Sequence, residues 1–202
     1  MSFASVTSRA LLGVDAVEVT VETHLSNGLP GFAIVGLPEK AVKESKERVR
    51  SAIINSGLDF PARRITVNLA PADMPKNGGR YDFAIALSIL AASGQLQSKC
   101  MRDSEILGEL ALDGSLRRVH GAIPALMAAQ ALQHKIYLPS ANVDDLLLVG
   151  YERGHCVGSL HDYVDHLVNT TELNTVANLP AGIGQDHAGE FPDQLAAAVE
   201  QR

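Results

Sequence analysis

The sequence predicts an α+β domain. Strand-like segments come first, and helices and strands alternate after them. Between the two halves lies "DFAIALSILAAS", apolar nearly all round, the pattern of a helix at a domain's centre.

Each element has a local reason. In "VDAVEVTVETHL", Val17, Val19 and Val21 point one way and Glu18, Thr20 and Glu22 the other, the mark of a half-solvated antiparallel strand. "FASVTSRAL" is its expected partner. "NGLPG" is a turn, and "FAIVG" reads as a short buried strand. "LPEKAVKESKERVRSAIINSG" is a helix, with Pro38 suited to its first turn and Gly57 to its end. Val42, Ser45, Val49 and Ile53 form its inward stripe, and Glu39–Lys43 and Glu44–Arg48 are i,i+4 pairs on its wet face. "RRITVNLA" is a strand facing inward with Ile65, Val67 and Leu69.

Asp82 is placed to cap the apolar helix, which stops at Gly94. "SEILGELALDGSLRRV" reads as a hairpin turning at Asp113–Gly114, with Asp103, Glu105, Glu109 and Asp113 on its wet side. A helix "GAIPALMAAQALQ", a strand "HKIYLP", a short helix "SANVDDLLLV", a last strand "GHCVGS" and a last helix "LHDYVDHLV" follow. From about Asn169 the periodicity fades, so residues 1–168 read as the domain and 169–202 as a linker with a marginal ten-residue helix.

Composition narrows the function. The 202 residues carry a net charge of −6, which argues against a domain gripping DNA strongly alone. Aromatics are 4% with no Trp, leaving few rings for base stacking. Cys100 and Cys156 are too few for a disulfide framework. No run reaches the roughly 20 apolar residues of a membrane helix, and no signal peptide is visible; the reading is a cytoplasmic protein without a membrane partner.

Three long segments, in order, carry a family resemblance: "GLPGFAIVGLPEKAVKESKERVRSAIINSG", "ITVNLAPADMPKNGGRYDFAIALSILAASG" and "GELALDGSLRRVHGAIPA". Residues 1–168 resemble the N-terminal domain of the Mg-chelatase-like AAA+ proteins of bacteria, the ComM/YifB competence-protein family. The resemblance implies a ribosomal protein S5 domain 2-like fold, a mixed sheet packed with helices, which is also the fold of the Lon protease domain. It implies a following AAA+ module and a hexameric ring of like subunits as partners. It implies a full-length protein that uses ATP and Mg²⁺ and processes DNA, as a branch-migration helicase in natural transformation. "IGQDHAGE" resembles the opening of the AAA+ module, and the residues after it depart from that pattern. No GxxxxGK[ST] loop occurs, so no cofactor is expected in this chain.

The glycine-rich loop "PKNGGRYD" resembles the segment where Lon-type proteases carry their serine nucleophile. Pro75, Lys76 and Gly78 match, and Arg80 holds the nucleophile position. A guanidinium cannot attack a carbonyl. Near the place of Lon's lysine stands Ile123, and "VHGAIPALMAA" contains no lysine. Neither Ser88 nor Ser93 is well placed to substitute, so no catalytic residue is assigned. The expectation is a non-catalytic accessory domain; the rivals are an unconventional Lon-like hydrolase and a free-standing single-stranded DNA-binding module.

Two readings of the loop stay open. In one, Gly78 and Gly79 make a turn while Lys76 and Arg80 are solvated or paired. In the other, Lys76, Asn77, Gly78, Gly79 and Arg80 bind an anion or a partner's carboxylate at a helix start. Lys43, Lys46 and Arg50, with Arg63 and Arg64, form a candidate nucleic-acid face, diluted by Glu39, Glu44 and Glu47. His155–Cys156, His161 and His166 fit no zinc spacing, so no metal site is assigned.

Overall fold

The computed structural model describes residues 2–36, 40–169 and 172–178. Strands β1 (Phe3–Leu12), β2 (Asp15–Ser26) and β3 (Gly31–Val35) precede helix α1 (Lys40–Asn55). Then come β4 (Arg64–Ala70), α2 (Asp82–Ala92), β5 (Ser104–Ile106), β6 (Glu109–Leu110), β7 (Leu116–Arg117) and α3 (Ala122–Leu132). The remainder is β8 (Lys135–Pro139), α4 (Val143–Val149), β9 (Gly154–Val157), α5 (Leu160–Asn169) and β10 (Asn174–Thr175).

Eight strands form one mixed sheet in the order β10-β9-β8-β5-β1-β2-β4-β3. β1 and β2 pair antiparallel from Phe3↔His24 to Leu12↔Asp15. β4 continues antiparallel beside β2, and β3 lies parallel to β4 at the edge. On the other side β5, β8 and β9 run parallel to one another, with β5 parallel to β1. This is the α+β architecture, a mixed sheet packed with helices, that the S5-like reading requires.

The predicted inward faces are the buried ones. Val19, Val21, Ile65, Val67 and Leu69 are buried on the sheet, and Val42, Ser45, Val49 and Ile53 on α1. Every residue of α2 is buried, from Asp82 to Ala92. The helix packs on β1, β2 and α1, so its uniform apolarity answers neighbours on several sides. Gly57 and Gly94 have positive φ (76° and 85°) just past α1 and α2, as their stop roles require.

Five expectations change. β3 is an edge strand, not a buried one: Val35 is exposed, and Ile34 alone of its side chains is buried. The hairpin is shorter than expected: Ser104–Ile106 joins the large sheet, while β6 and β7 form the two-stranded ladder. Its turn does lie at Asp113–Gly114, where Ser115 N–H and Oγ–H donate to Asp113 Oδ1. Glu105 is not on a wet face; it is fully buried and meets Arg9 in a two-pronged ion pair at 2.5 and 2.6 Å. "GHCVGS" is not the last strand, because Asn174–Thr175, in the stretch read as linker, pairs with β9. Asp82 does not cap α2; it is the first helical residue, and no side chain caps the helix. Pro38, the Glu39–Lys43 pair and the helix in "DQLAAAVEQR" lie outside the described residues.

A candidate anion-binding cleft at the start of α2

The loop before α2 is held by backbone bonds to the segment after β5. Gly108 N–H donates to the Arg80 carbonyl at 2.9 Å, and Phe83 N–H donates to the Gly108 carbonyl at 3.0 Å. Gly78 takes φ 74°, a conformation open to glycine at little cost. Gly79 is pressed against Glu109, whose carboxylate occupies the space a Cβ would need. The Gly-Gly pair therefore does two different jobs, one of turning and one of close approach.

Asp82 is buried beneath this loop. Arg48 of α1 donates to it at 2.6 Å through Nε and 3.2 Å through Nη2, and Leu110 N–H at 3.4 Å. Burial pushes the Asp82 carboxyl up to about 7, against the pull of Arg48. Arg48 is raised chiefly by its bond to Asp82. Arg48, expected to pair with Glu44, also links α1 to α2 through Asp82, and the Glu44 charge supports its protonated form as well.

A cleft of about 310 Å³ opens between the loop and the segment leading into α3. Pro75, Asn77, Gly78, Gly79 and Arg80 line one wall, and Arg118, Val119 and His120 the other, with Leu11 and Glu109 completing it. Arg80 is 7% exposed and spans the two walls, donating to the His120 carbonyl and, at 3.4 Å, to the Arg9 carbonyl. Burial lowers its pKa. Arg118 is committed to Asp145 at 2.9 Å and to the Ala141 carbonyl.

Lys76 behaves differently from both readings of the loop. It is fully buried, donates to the Pro71 carbonyl, and does not line the cleft. Burial lowers its pKa, opposed by Asp73. Of the five loop residues expected to bind an anion, four are brought together in the cleft and Lys76 is not. Ser88 Oγ is shared with Thr23 Oγ1 at 2.6 Å and donates to the Ile85 carbonyl; Ser93 Oγ donates to the Leu90 carbonyl.

The candidate nucleic-acid residues are dispersed in what they do. Arg50 lies over the Phe60 ring at 4.9 Å, and Arg63 is tied to the Leu25 carbonyl and Asn27 Oδ1. Lys46 is half-buried and Arg64 exposed; the Lys43 side chain lies outside the described residues. Among the histidines, His155 stacks on Tyr137 at 4.9 Å while His161 faces Asp165 at 3.5 Å. Among the described residues no group of three His, Cys, Asp or Glu side chains could hold a metal ion. Nor is any described helix long and apolar enough to cross a membrane.

Sequence reasoning did not single out Arg118 and His120 as the far wall. They stand three positions and one position before Gly121, whose φ of 70° starts α3. Their one sequence signal was a basic pair ahead of a turn glycine.

Comparison with known proteins places these features. The family model described as subunit ChlI of Mg-chelatase matches residues 21–142, more than half of the chain. The chain is 47% identical to competence protein ComM of Haemophilus influenzae, over 93% of its own length and 40% of the relative's. It is 53% identical to the uncharacterized protein YifB of Escherichia coli, over 75% of the chain and 30% of the relative. A similar uncharacterized protein of Mycobacterium tuberculosis is 41% identical over 98% of the chain and 42% of its own length. The chain therefore spans less than half the length of these relatives.

Proposed function

Because the chain belongs to the ChlI family of Mg-chelatase-like proteins, in its ComM/YifB branch, we propose that it is a non-catalytic accessory domain of an ATP-driven DNA-processing protein. The observation that carries this reading is the position of Arg80. In the Lon-like comparison it stands where a hydrolase keeps its serine, and its guanidinium is buried between two backbone carbonyls. A group that stays protonated cannot be an attacking nucleophile. Ser88, the nearest apolar-helix alternative, has its hydroxyl engaged by Thr23. Lys76 donates to Pro71, so no lysine is available there to activate a serine.

ATP and Mg²⁺ belong, in this reading, to an AAA+ module following the domain, since the chain has no GxxxxGK[ST] loop. The domain then works by contact, with that module, with like subunits in a ring, and with DNA passing the ring. The "competence protein" name of the Haemophilus relative supports a role in competence.

The test uses the isolated domain and the full-length protein. The domain hydrolyses neither ATP nor fluorogenic peptides, while the full-length protein hydrolyses ATP and moves branched DNA. Deleting residues 1–168 from the latter lowers branch migration more than basal ATPase. Peptide cleavage by the domain that disappears in Arg80→Ala would overturn the non-catalytic reading. Full branch migration without the domain would overturn the accessory role.

A further inference from the structure

We infer that the cleft beside Arg80 is a binding site for a single carboxylate. Arg80 is a buried cation with no carboxylate partner among the described residues. Its bonds go to the Arg9 and His120 carbonyls, and its one titratable electrostatic neighbour is the Tyr81 phenol. Leaving a guanidinium in that state is costly, because buried charges are ordinarily paired. A guanidinium has five N–H donors, and two carbonyl bonds leave donors over. Arg80 lines the cleft, so the cleft is where those donors meet solvent or a ligand.

A second observation lies in the backbone. The N–H groups of Gly78, Gly79 and Arg80 are consecutive, and none has an acceptor among the described residues. Successive free N–H groups beside a positive-φ glycine form a concavity that receives oxygens. The other basic side chains nearby are engaged: Arg118 on Asp145, Arg48 on Asp82, Lys76 on Pro71 and the exposed Arg117 beside Glu109 at 3.9 Å.

Glu109, against the loop wall, selects the charge of the ligand. Glu109 lines the same cleft, packs against Gly79 and is 33% exposed. Among the described residues, one buried cation without a carboxylate partner and one carboxylate held only by an exposed arginine accommodate a monoanion. A phosphate dianion would meet Glu109 with only the water-exposed Arg117, 3.9 Å from that carboxylate, to offset the repulsion, and a DNA strand would need several free cations. The matching chemistry is therefore a carboxylate, from an acidic side chain of a protein segment or from a small free acid. This inference deepens the reading of a domain that holds rather than cuts, and rests on it.

The experiment is a titration of the ¹⁵N-labelled domain at pH 8, where inorganic phosphate is a dianion. The probes are acetate, inorganic phosphate and an end-blocked Ala-Asp-Ala tripeptide. The readouts are the Arg80 Nε–H and the Gly78, Gly79 and Arg80 amide resonances. Acetate and the tripeptide shift these resonances saturably, and phosphate binds at least about tenfold more weakly. Tighter binding of the tripeptide than of acetate assigns the site to a protein segment; equal binding assigns it to a free acid.

Glu109→Gln, a partly exposed change, raises phosphate affinity to the level of acetate. Arg80→Gln removes the response at Gly78 and Gly79; if that variant does not fold, Glu109→Gln carries the test. Absence of a saturable shift, phosphate binding equal to acetate in the unaltered domain, or a Glu109→Gln variant that still rejects phosphate would each overturn the inference. None of these outcomes bears on peptide hydrolysis, which tests the non-catalytic reading separately.

Discussion

His155 makes the domain lose stability as the medium becomes acidic, and the size of the loss follows from its surroundings. Its ring lies on β9, stacked on Tyr137 at an interplanar angle of 18°. Burial, then the charges of Lys135, His166 and Arg153, push its pKa down to about 4. An unfolded histidine titrates near 6.5. Between these values the unfolded chain holds more protons than the fold, so stability rises with pH. It is fully present above about pH 6.5 and is lost as pH falls toward about 4. Discounted for the partial exposure of the ring, the whole interval corresponds to about 2 kcal/mol, and about 1 kcal/mol is gone by pH 5. His155→Phe keeps the aromatic stack and removes the proton site. Urea unfolding followed by far-ultraviolet circular dichroism suits a chain without Trp. Relative to its own value at pH 7.5, the variant retains about 1 kcal/mol more stability than the parent at pH 5. Parallel pH profiles for the two proteins would refute the half-buried, neutral histidine.

Arg48→Met leaves the buried Asp82 carboxylate without its cation and costs about 3 kcal/mol at pH 8. The Asp82 pKa of about 7 lies above its unfolded value, so the fold holds the extra proton between about pH 4 and 7; the variant's penalty therefore shrinks at pH 5, and urea titrations at the two pH values measure it. Gly36→Ala forces an L side chain into φ 96° and drives its Cβ into the Leu69 carbonyl oxygen of β4, costing more than about 2 kcal/mol. A thermal unfolding midpoint unchanged from the parent would contradict that placement of Gly36.

What the sequence disclosed and what it hid divide along one physical line. The α1 stripe, the β2 alternation and the apolar α2 were legible because burial repeats at the period of the backbone itself. The short run "FAIV" misled for the same reason: apolarity marks a core-facing segment but not whether strands flank it on both sides, and β3 has β4 on one side only. Charged residues carry no such local signal. Glu105 finds Arg9 at a separation of 96 positions, and Arg48 finds Asp82 at 34 in addition to the charge of the nearer Glu44. The cleft obeys this rule. Its loop wall was visible as "PKNGGRYD", but its far wall comes 40 positions later, at the His120 carbonyl that receives Arg80. That distant contact separates the two readings of the loop. A solvated Arg80 would be an ordinary surface cation with its charge screened by water. An Arg80 withdrawn between two carbonyls is what the proposed carboxylate site requires: its fixed protonation disqualifies it as a nucleophile, and its burial strengthens the attraction to a ligand in the cleft.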